Sequence, residues 1–455
     1  MAWLHDVVDR HARERADAIA LVCGQGGERI TYRALAERTR GLAGWLARSD
    51  VGPGDRVAVV ADAAPWVFEL LVACSRRGAI LAPLNPRLPK PELDSILAVA
   101  EPRLVLGARP AAVDVEPRTE ATSPRASLVL LFTSGSTGKP KGALLTHENL
   151  LANARSTARA WDLSAADVAV ADAPLFHTGG LNVLATPLLV LGGTVVVTPR
   201  FDARVSLDAM AREGATVAFG VPQMLERLAA LGAPDAAPSV RLWLVGGAPC
   251  PARVADAFGD RLVVGFGMTE CGPNCFRPVS LPARRDVVGV PTFDLEATLA
   301  PDGELLLRGP HVFAGYFRDD DATRAAFTDD GWLRTGDVLD ASPDGWRVVG
   351  RTKELFISGG ENVYPAEVER VLAAHPQVLA CAVVGVPDET WGEAGVAFVV
   401  ADDAPPEALR AFVRKHLAAF KVPREVRLVD ELPRTPSGKV DRRALVARAT
   451  RRPRS

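Results

Sequence analysis

The sequence predicts an α/β fold with a large N-terminal part and a smaller second domain. Short apolar runs alternate with helical segments over most of the chain, which is typical of a parallel sheet covered by helices on both faces. After Pro301 this alternation gives way to short strands and turns, and a separate β/α pattern follows Gly350. A chain of 455 residues is also long enough for two or more domains.

The first alternation lies within residues 1–110, and a second one follows it after a connection. We predict a helix at 66–76 and strands at 57–60, 79–84 and 104–106. The polar, proline-containing residues 108–127 are interpreted as a surface connection. Beyond them we predict a helix near 147–160 and strands at 128–132, 168–171, 194–197, 216–219, 242–245 and 262–264.

Three of the later strands end in the same way, in a turn that contains glycine. The strand at 216–219 runs into Gly220, the next into Gly246-Gly247-Ala248, and the third into Gly265-Phe266-Gly267. Ligands of open α/β sheets lie beyond the carboxyl ends of the strands, and glycine lets the backbone approach a ligand closely. One such turn would be an ordinary strand-to-helix connection, but three in succession predict a shared pocket.

The C-terminal part contains its own elements. We predict strands at 304–308, 331–333 and 346–349, and then a domain joint at 350–353. A helix at 365–374 and strands at 380–386 and 396–400 follow, enough for a small domain. The predicted domains are therefore 1–352 and 353–455.

Composition and charge argue against several classes of protein. A formal net charge of −2 gives no electrostatic basis for binding nucleic acid or an anionic membrane. The first twenty residues mix acids and bases, unlike a signal peptide, and six cysteines without a CxxC pair predict a reducing, cytoplasmic environment. Residues 173–198 are uncharged apart from a protonated His177, but glycines and Pro187 interrupt them, so we expect a buried helix and a strand instead of a membrane span. The sequence indicates no oligomeric state.

Ten residues after the strand at 128–132 form a candidate phosphate-binding loop. They are Thr133-Ser134-Gly135-Ser136-Thr137-Gly138-Lys139-Pro140-Lys141-Gly142. Backbone N–H groups and hydroxyls can surround a phosphate while the two lysines supply charge. The loop is no Walker A motif, because two residues instead of four separate Gly135 from the Gly-Lys pair, and Pro140 replaces the Ser or Thr. The alternative is a Ser/Gly-rich surface loop, which is unusual directly after a core strand.

This loop resembles the phosphate-loop signature of the ANL superfamily, which comprises acyl- and aryl-CoA synthetases, nonribosomal adenylation domains and luciferases. The resemblance extends from Thr31-Tyr32-Arg33-Ala34-Leu35 to Lys439. It implies a large N-terminal domain of two packed α/β sheets with a small distorted β-barrel, and a small mobile α+β C-terminal domain. It also implies an enzyme that uses ATP and Mg²⁺ to form an acyl-AMP and passes the acyl group to coenzyme A.

The motif Gly267-Met268-Thr269-Glu270 resembles the segment of the family that contacts the α-phosphate and the metal. The resemblance implies that Thr269 contacts the α-phosphate and that Glu270 helps to hold Mg²⁺, which takes few protein carboxylates and completes its shell from phosphates and water. It implies that Phe266, where relatives often carry tyrosine, stacks on adenine; otherwise Phe266 would be interpreted as core. The residues that we assign to nucleotide binding in these turns are Gly246, Gly247, Ala248, Gly265, Phe266, Gly267 and Met268.

Asp337, in Trp332-Leu333-Arg334-Thr335-Gly336-Asp337, resembles the acid that binds the ribose. A carboxylate has two oxygens for the two hydroxyls of a vicinal diol. Arg351 resembles the arginine that joins Asp337 at the nucleotide. For Arg334 and Thr335 a role in stabilising the turn remains an alternative.

The string Pro433-Arg434-Thr435-Pro436-Ser437-Gly438-Lys439 resembles the C-terminal catalytic motif, which implies that Lys439 is the adenylation lysine.

Lys353 falls at the hinge of the family, about which the C-terminal domain rotates between the two half-reactions. Gly359 and Gly360 resemble the loop that lines the tunnel for the pantetheine arm, where glycine leaves room. A plain hairpin turn is the alternative for this pair.

The acid is expected next to Phe176-His177-Thr178-Gly179-Gly180-Leu181-Asn182, where the resemblance implies that His177 gates or contacts the carboxylate. His177 stands where amino-acid-activating members carry an aspartate, which argues against an amino acid. The other candidate wall residues are mostly small or apolar: Gly220, Val221, Gly246, Met268, Cys271, Gly272 and Asn274. We therefore expect an apolar acid, with a medium- or long-chain fatty acid preferred and an aryl acid as the alternative.

Coenzyme A is the expected acceptor, because Lys353 continues to Gly360 and Pro365 without the insertion that acyl-AMP ligases for carrier proteins carry. A ligase that loads a carrier protein remains the alternative. A non-catalytic nucleotide- or acyl-binding protein is disfavoured, since Thr269, Glu270 and Lys439 are all present.

Overall fold

The structure of the chain is a computed structural model that describes residues 3–24, 26–111, 119–120, 123–134, 140–280, 287–435 and 440–450. Its helices, in chain order, are α1 (Leu4–Glu14), α2 (Tyr32–Arg48), α3 (Pro65–Arg77), α4 (Lys90–Ala100), α5 (His147–Ala160), α6 (Thr178–Asn182), α7 (Ala185–Leu191), α8 (Ala203–Glu213), α9 (Pro222–Ala229), α10 (Ala233–Ala236), α11 (Ala252–Phe258), α12 (Asp320–Ala325), α13 (Pro365–Ala373), α14 (Pro406–His416) and α15 (Arg442–Thr450).

The strands follow the same order along the chain. They are β1 (Ile19–Cys23), β2 (Arg29–Thr31), β3 (Arg56–Val60), β4 (Ile80–Leu84), β5 (Leu104–Leu106), β6 (Ser127–Ser134), β7 (Pro140–Thr146), β8 (Val168–Ala171), β9 (Thr194–Val197), β10 (Val217–Gly220), β11 (Leu242–Val245), β12 (Leu262–Val264), β13 (Phe276–Arg277), β14 (Val290–Pro291), β15 (Glu296–Leu299), β16 (Glu304–Arg308), β17 (Gly315–Tyr316), β18 (Leu333–Asp340), β19 (Arg347–Arg351), β20 (Phe356–Ser358), β21 (Glu361–Val363), β22 (Val378–Asp388), β23 (Gly392–Ala401) and β24 (Glu425–Leu428).

The chain forms two compact units. The first comprises Met1–Gly247, Ala257–Ala297 and Leu307–Leu333, and the second comprises Ala248–Asp256, Thr298–Leu306 and Arg334–Ser455. The predicted fold class is confirmed, since α/β sheets build the larger unit and an α+β arrangement builds the smaller one. The domain boundary at 352/353 and the hinge at Lys353 stay predictions.

A seven-stranded sheet in the first unit has the order β12-β11-β10-β8-β9-β1-β2. Its strands are parallel from β12 to β1, and β2 is antiparallel to β1. All four residues of β11 are buried, as expected for a parallel strand covered on both faces. The carboxyl ends of β10, β11 and β12 therefore lie side by side at one edge.

The other large sheet of the first unit has six strands in the order β17-β7-β6-β4-β3-β5, and β13 and β14 form a separate pair. It is parallel from β6 to β5, while β6 and β7 form an antiparallel hairpin and β17 pairs antiparallel with β7. Helix α5 begins directly after β7 with a capping box, in which the Thr146 hydroxyl accepts from the Asn149 N–H and the Asn149 side chain accepts from the Thr146 N–H. The Asn149 amide also donates to the carbonyls of Pro310 and Val312, which fixes the segment before β17.

The second unit is built around a sheet with the order β21-β20-β23-β22, in which β24 also pairs with β23. Strand β22 alternates between two apolar cores. Val383 faces the core shared with α13 and α14, and Val384 faces the core that contains Leu445 of α15. A separate four-stranded sheet has the order β15-β16-β18-β19. The resemblance implied a small distorted β-barrel without placing it in the sequence.

Most predicted elements agree with the structure, and one is wrong. The strand predicted at 331–333 is instead a turn, because the Thr328 N–H donates to the Trp332 carbonyl and Gly331 adopts a φ of +86°. Strand β18 begins only at Leu333. Much of the connection predicted at 108–127 lies outside the described residues.

The apolar stretch at 173–198 forms α6, α7 and β9, as predicted. Within the described part of the chain, no helix combines the length and the apolar character that crossing a membrane requires. All six cysteines are free thiols.

Asp172 is a buried acid at the carboxyl end of β8. It lines a cavity of about 120 Å³ together with residues at the ends of β3, β4 and β9, including Arg87 and Arg200. Among the described residues, neither of its carboxyl oxygens makes a well-formed hydrogen bond, and the buried Ser206 hydroxyl only partly offsets the burial. Burial raises the pKa of Asp172 to about 7 from the ordinary value of 3.8.

Asp172→Asn is expected to stabilise the fold more at high pH than at low pH. Because the pKa of Asp172 is about 7 in the folded chain and 3.8 in the unfolded chain, the folded state loses stability as the pH rises through this window. Between roughly pH 5.5 and roughly pH 8.5 the gain from the neutral amide should grow by about 2 kcal/mol. Urea unfolding at both pH values measures it. The exposed Asp208→Asn is the control, and a pH-independent gain would contradict the expectation.

Candidate active site

The hairpin of β6 and β7 carries both ends of the candidate phosphate loop. In its register Phe132 lies opposite Gly142, Thr133 opposite Lys141 and Ser134 opposite Pro140. The Thr133 hydroxyl donates to the Lys141 carbonyl at 3.5 Å. Residues 135–139 and the side chain of Ser134 lie outside the described residues, so the roles of Ser134, Gly135, Ser136, Thr137, Gly138 and Lys139 stay predictions.

The three glycine-containing turns of the seven-stranded sheet lie next to one another. The Gly265 N–H donates to the Val245 carbonyl at 2.7 Å, and the Gly246 N–H donates to the Gly220 carbonyl at 3.4 Å. A Cβ placed on Gly246 would lie 3.5 Å from the Gly265 carbonyl oxygen. The turns after β10, β11 and β12 thus form one continuous surface, with Gly247 and Ala248 exposed beyond it.

The Phe219 ring forms a flat wall beside these turns. A Cβ on Gly246 would lie 3.5 Å from this ring, and one on Gly179 would lie 3.2 Å from it. Glycine at both positions lets the backbone of these two segments pass close to the ring. The sequence analysis did not single out Phe219, although its position directly before Gly220 was a usable signal.

His177 is held by a tight turn that only glycine can close. The Gly180 N–H donates to the His177 carbonyl at 3.1 Å, and a Cβ on Gly180 would lie 2.3 Å from two backbone oxygens. The half-buried His177 ring packs against Phe176, with ring centroids 4.7 Å apart. This geometry places the imidazole at the start of α6, in the same unit as the glycine turns.

The segment from Gly267 to Cys275 folds back on itself directly after β12. Met268 forms a β-bridge with Gly272, and a Cβ on Gly267 would lie 2.3 Å from the Pro273 backbone, so this position requires glycine. The Asn274 amide donates to the Thr157 hydroxyl at 2.9 Å, which ties the turn to α5. The half-buried Phe266 ring meets the buried Phe276 ring edge-on, with centroids 5.4 Å apart.

Glu270, the candidate metal ligand, is buried and has a tyrosine partner that the sequence analysis missed. The Tyr316 hydroxyl donates to Glu270 Oε1 at 2.8 Å, and Lys141 Nζ lies 5.1 Å from the centroid of the Tyr316 ring. Burial, together with the Glu270 carboxylate, raises the pKa of Tyr316, which keeps the hydroxyl a donor. The sequence carries only three tyrosines, but nothing in it relates Tyr316 to Glu270.

The side chains near Glu270 fit Mg²⁺ only if phosphates and water supply most of its ligands. The described residues contain no group of three or more His, Cys, Asp or Glu side chains that could hold a metal ion. Glu270 would therefore supply one hard oxygen ligand, while phosphates and water complete the shell, which is the usual arrangement for this ion. Cys271 and Cys275 are buried against each other, and burial raises the pKa of the Cys271 thiol, so it is poorly suited to bind a metal as a thiolate.

In the second unit, Asp337 and Arg351 form an ion pair across neighbouring strands. They lie opposite each other in the β18–β19 register, and Arg351 Nε donates to Asp337 Oδ1 at 2.8 Å. The Asp337 side chain is 6% exposed and that of Arg351 is 54% exposed. The Thr335 hydroxyl donates to the Leu305 carbonyl and accepts from the Asp337 N–H, as a turn-stabilising residue would.

Of four more predicted positions in the second unit, the structure describes three. Gly359 and Gly360 close the β20–β21 hairpin with φ angles of +61° and +84°, and a Cβ on Gly359 would lie 2.7 Å from the Trp391 ring. Lys353 is exposed in the turn after β19. Lys439 lies outside the described residues, although its segment is flanked by the bridge between Arg434 and Val440.

Similarity to known proteins covers nearly the whole chain. A family model described as AMP-binding enzyme matches residues 8–127 and 107–317, and one described as AMP-binding enzyme C-terminal domain matches residues 367–439. The chain is 39% identical over 470 aligned residues to a feruloyl-CoA synthase from Amycolatopsis sp, with 94% of this chain and 96% of that protein covered.

Two solved structures are similar over 98% of both chains. ATP-bound MatB from Rhodopseudomonas palustris has a TM-score of 0.89 at 30% identity. The o-succinylbenzoate CoA synthetase MenE from Bacillus subtilis, in complex with the acyl-adenylate intermediate OSB-AMP, has a TM-score of 0.86 at 28% identity.

Asp337→Asn is expected to raise the KM for ATP by roughly ten- to a hundredfold, because a hydrogen bond to a charged acceptor is worth about 1.5–3 kcal/mol. The exposed Asp340, at the other end of β18, provides the matched control Asp340→Asn. Steady-state kinetics at varied ATP measures both variants. An unchanged KM in Asp337→Asn, or an equal rise in both variants, would contradict the assignment.

Proposed function

The chain belongs to the family of AMP-binding enzymes, and we propose that it activates an aromatic carboxylic acid as its acyl-AMP and transfers the acyl group to coenzyme A. It is an AMP-forming acid–thiol ligase of the ANL superfamily, with ATP and coenzyme A as co-substrates and Mg²⁺ as its metal. The aromatic character of the acid and the roles of individual residues are the proposal.

The first half-reaction brings two anions together. The carboxylate of the acid attacks the α-phosphorus, an oxygen–phosphorus bond forms, and pyrophosphate leaves. Lys141 is held over the Tyr316 ring and is available to the phosphates, while the Thr269 hydroxyl would donate to the α-phosphate. Bound Mg²⁺, with Glu270 as its protein ligand, would supply further positive charge. Lys439 would lie against the carboxylate and α-phosphate oxygens.

The nucleoside would be held by aromatic and carboxylate groups. Phe266 is only partly buried and would stack on adenine, while its T-shaped contact with Phe276 would hold the ring in place. Asp337 would accept from the ribose hydroxyls, and Arg351 holds one of its oxygens beforehand. Arg351 itself is half-exposed and therefore accessible to the nucleotide.

The second half-reaction transfers the acyl group from AMP to sulfur. The thiol of coenzyme A attacks the acyl carbon, its proton is lost, and AMP leaves with the bonding electrons. His177 would contact the acyl carboxylate or gate the approach of the thiol. Gly359 and Gly360 would leave room for the pantetheine arm, with the Trp391 ring against Gly359.

The flat wall formed by the Phe219 ring beside Gly179 and Gly246 carries the proposal of an aromatic acid. Phe219 is only partly buried, and a planar acyl group could stack on the exposed part of its ring. The similarity to a feruloyl-CoA synthase and to a synthetase bound to OSB-AMP supports the same class. The sequence analysis preferred a fatty acid, and these relatives favour its aryl alternative instead.

An acid panel tests the proposed substrate class. We expect ferulate and similar aryl acids to give a kcat/KM about two- to tenfold above that of dodecanoate, since one well-fitted aromatic contact is worth about 0.5–1.5 kcal/mol beyond its buried area. Pyrophosphate release and thioester formation are measured separately, each with ATP and Mg²⁺. A higher kcat/KM for the fatty acid would overturn the aryl assignment, and pyrophosphate release without thioester would overturn coenzyme A as acceptor.

Phe219→Leu is the matched variant for this panel. It keeps an apolar side chain beside the glycine turns but removes the ring. The variant should lower kcat/KM for aryl acids and leave that for dodecanoate nearly unchanged. An equal loss for both acids would indicate that Phe219 only supports the fold.

Lys439→Ala is expected to slow pyrophosphate release by on the order of 10²–10³, the range for losing a charge-stabilising contact in the transition state. Thioester formation from supplied acyl-AMP should continue, because the second half-reaction uses the other face of the C-terminal domain. The exposed Lys415→Ala is the control. An equal loss in both half-reactions, in a folded variant, would contradict the rotation of that domain.

A further inference from the structure

Tyr316 contacts two candidate groups of the first half-reaction, Glu270 and Lys141. Its hydroxyl donates to Glu270 Oε1 at 2.8 Å. The face of its ring receives the Lys141 ammonium, whose nitrogen lies 5.1 Å from the ring centroid. One side chain thus bridges the candidate metal ligand and a lysine of the candidate phosphate loop.

The backbone of Tyr316 is fixed from both sides. In β17, Tyr316 lies opposite Ala143 of β7, and the Phe317 N–H donates to the Gly142 carbonyl at 2.7 Å. The Tyr316 N–H donates to the Thr323 hydroxyl at 2.9 Å. Since β7 also carries Lys141, the lysine and the tyrosine are positioned by the same strand pair.

The backbone and ring of Phe313 also hold Glu270 and Tyr316 in place. The Phe313 N–H donates to the Glu270 carbonyl at 2.8 Å, so the backbone of the metal ligand is tied to the segment that leads into β17. The Phe313 ring meets the Tyr316 ring edge-on at 4.9 Å. The Glu270 side chain is therefore buried between elements whose positions are set independently of any ligand.

A carboxylate that supplies one oxygen to Mg²⁺ must keep that oxygen in a fixed direction. We propose that Tyr316 is a positioning residue for Mg²⁺ and ATP: its hydroxyl fixes one oxygen of Glu270 so that the other points to the metal, and its ring holds Lys141 beside the phosphates. This inference rests on the proposed function for the role of Glu270. Groups that orient a metal ligand in this way typically account for about 10- to 100-fold in metal affinity or activity.

Two substitutions separate the effect of the Tyr316 hydroxyl from the effect of its ring. Tyr316→Phe removes the hydrogen bond and keeps the ring, so it should weaken metal binding while leaving metal-free ATP binding nearly unchanged. Tyr316→Leu removes both contacts and should also weaken metal-free ATP binding, because Lys141 loses its support. Neither change should slow thioester formation from supplied acyl-AMP, since that half-reaction needs neither the metal nor the pyrophosphate groups.

The matched control is Tyr32→Phe. Tyr32 is buried in the same unit and its hydroxyl donates to the Gly193 carbonyl at 2.8 Å, so the control removes a comparable phenolic hydrogen bond elsewhere. It should reduce stability without changing the metal dependence. A purely structural role for Tyr316 would make the two phenylalanine variants behave alike.

The direct measurement is Mn²⁺ binding in the presence of ATP, followed by electron paramagnetic resonance on the full chain. We expect Tyr316→Phe to weaken Mn²⁺ binding by about tenfold and to raise the half-saturating Mg²⁺ concentration for pyrophosphate release by a similar factor. Unchanged Mn²⁺ affinity in Tyr316→Phe, or equal weakening in Tyr32→Phe, would overturn the proposal.

The Mn²⁺ binding measurement also distinguishes a failure of the Tyr316 proposal from a failure of the proposed function. If the unaltered chain binds Mn²⁺ and ATP but releases no pyrophosphate with any acid, the proposed function fails. The ratio of Mn²⁺ affinities between the unaltered chain and Tyr316→Phe still decides the role of Tyr316 in that case, because the binding measurement requires no acid.

Discussion

The parallel order of the seven-stranded sheet is the constraint on which much of the candidate site depends. Parallel strands place their carboxyl ends at one edge, and β10, β11 and β12 are direct neighbours there. Each of these ends continues into glycine, so the turns approach one another as bare backbone, and a Cβ on Gly246 would lie 3.5 Å from the Gly265 carbonyl oxygen. The space for a ligand thus results from the parallel strand order and from the glycines, which have no side chains. It requires no long loop.

A buried carboxyl group stays ionised only if a hydrogen-bond donor or a cation stabilises its charge. The chain contains buried acids with such a partner and one without a well-formed hydrogen bond. Asp172 makes no well-formed hydrogen bond among the described residues, and burial outweighs the favourable effect of Ser206 and raises its pKa to about 7. Glu270 and Asp337 are similarly buried, but Tyr316 donates to the first and Arg351 to the second. Of these three acids, only the two assigned to the metal and the ribose have a side-chain donor in hydrogen-bonding geometry, whereas Asp172 lines a cavity and has no assigned role.

The sequence predicts the buried strands well, because a strand covered on both faces must be a short apolar run. Strands β8, β9, β11 and β12 occur where they were predicted. The failure at 331–333 has a local cause, since Gly331 closes a turn whose hydrogen bonds compete with an extended strand. The short β17 was beyond prediction, as two residues carry no periodic pattern and their pairing with β7 is specified only by tertiary packing.

The same distinction applies to the candidate site. Motifs identify residues that meet a ligand because the ligand constrains contiguous stretches such as Gly267 to Glu270. They do not identify contacts between side chains that lie far apart in the sequence, and 46 residues separate Tyr316 from Glu270. Here that contact joins the two sheets of the first unit, since Glu270 follows β12 and Tyr316 belongs to β17 beside Lys141. The orientation of the Glu270 carboxylate therefore depends on how those two sheets pack against each other. No single segment of the chain encodes that packing.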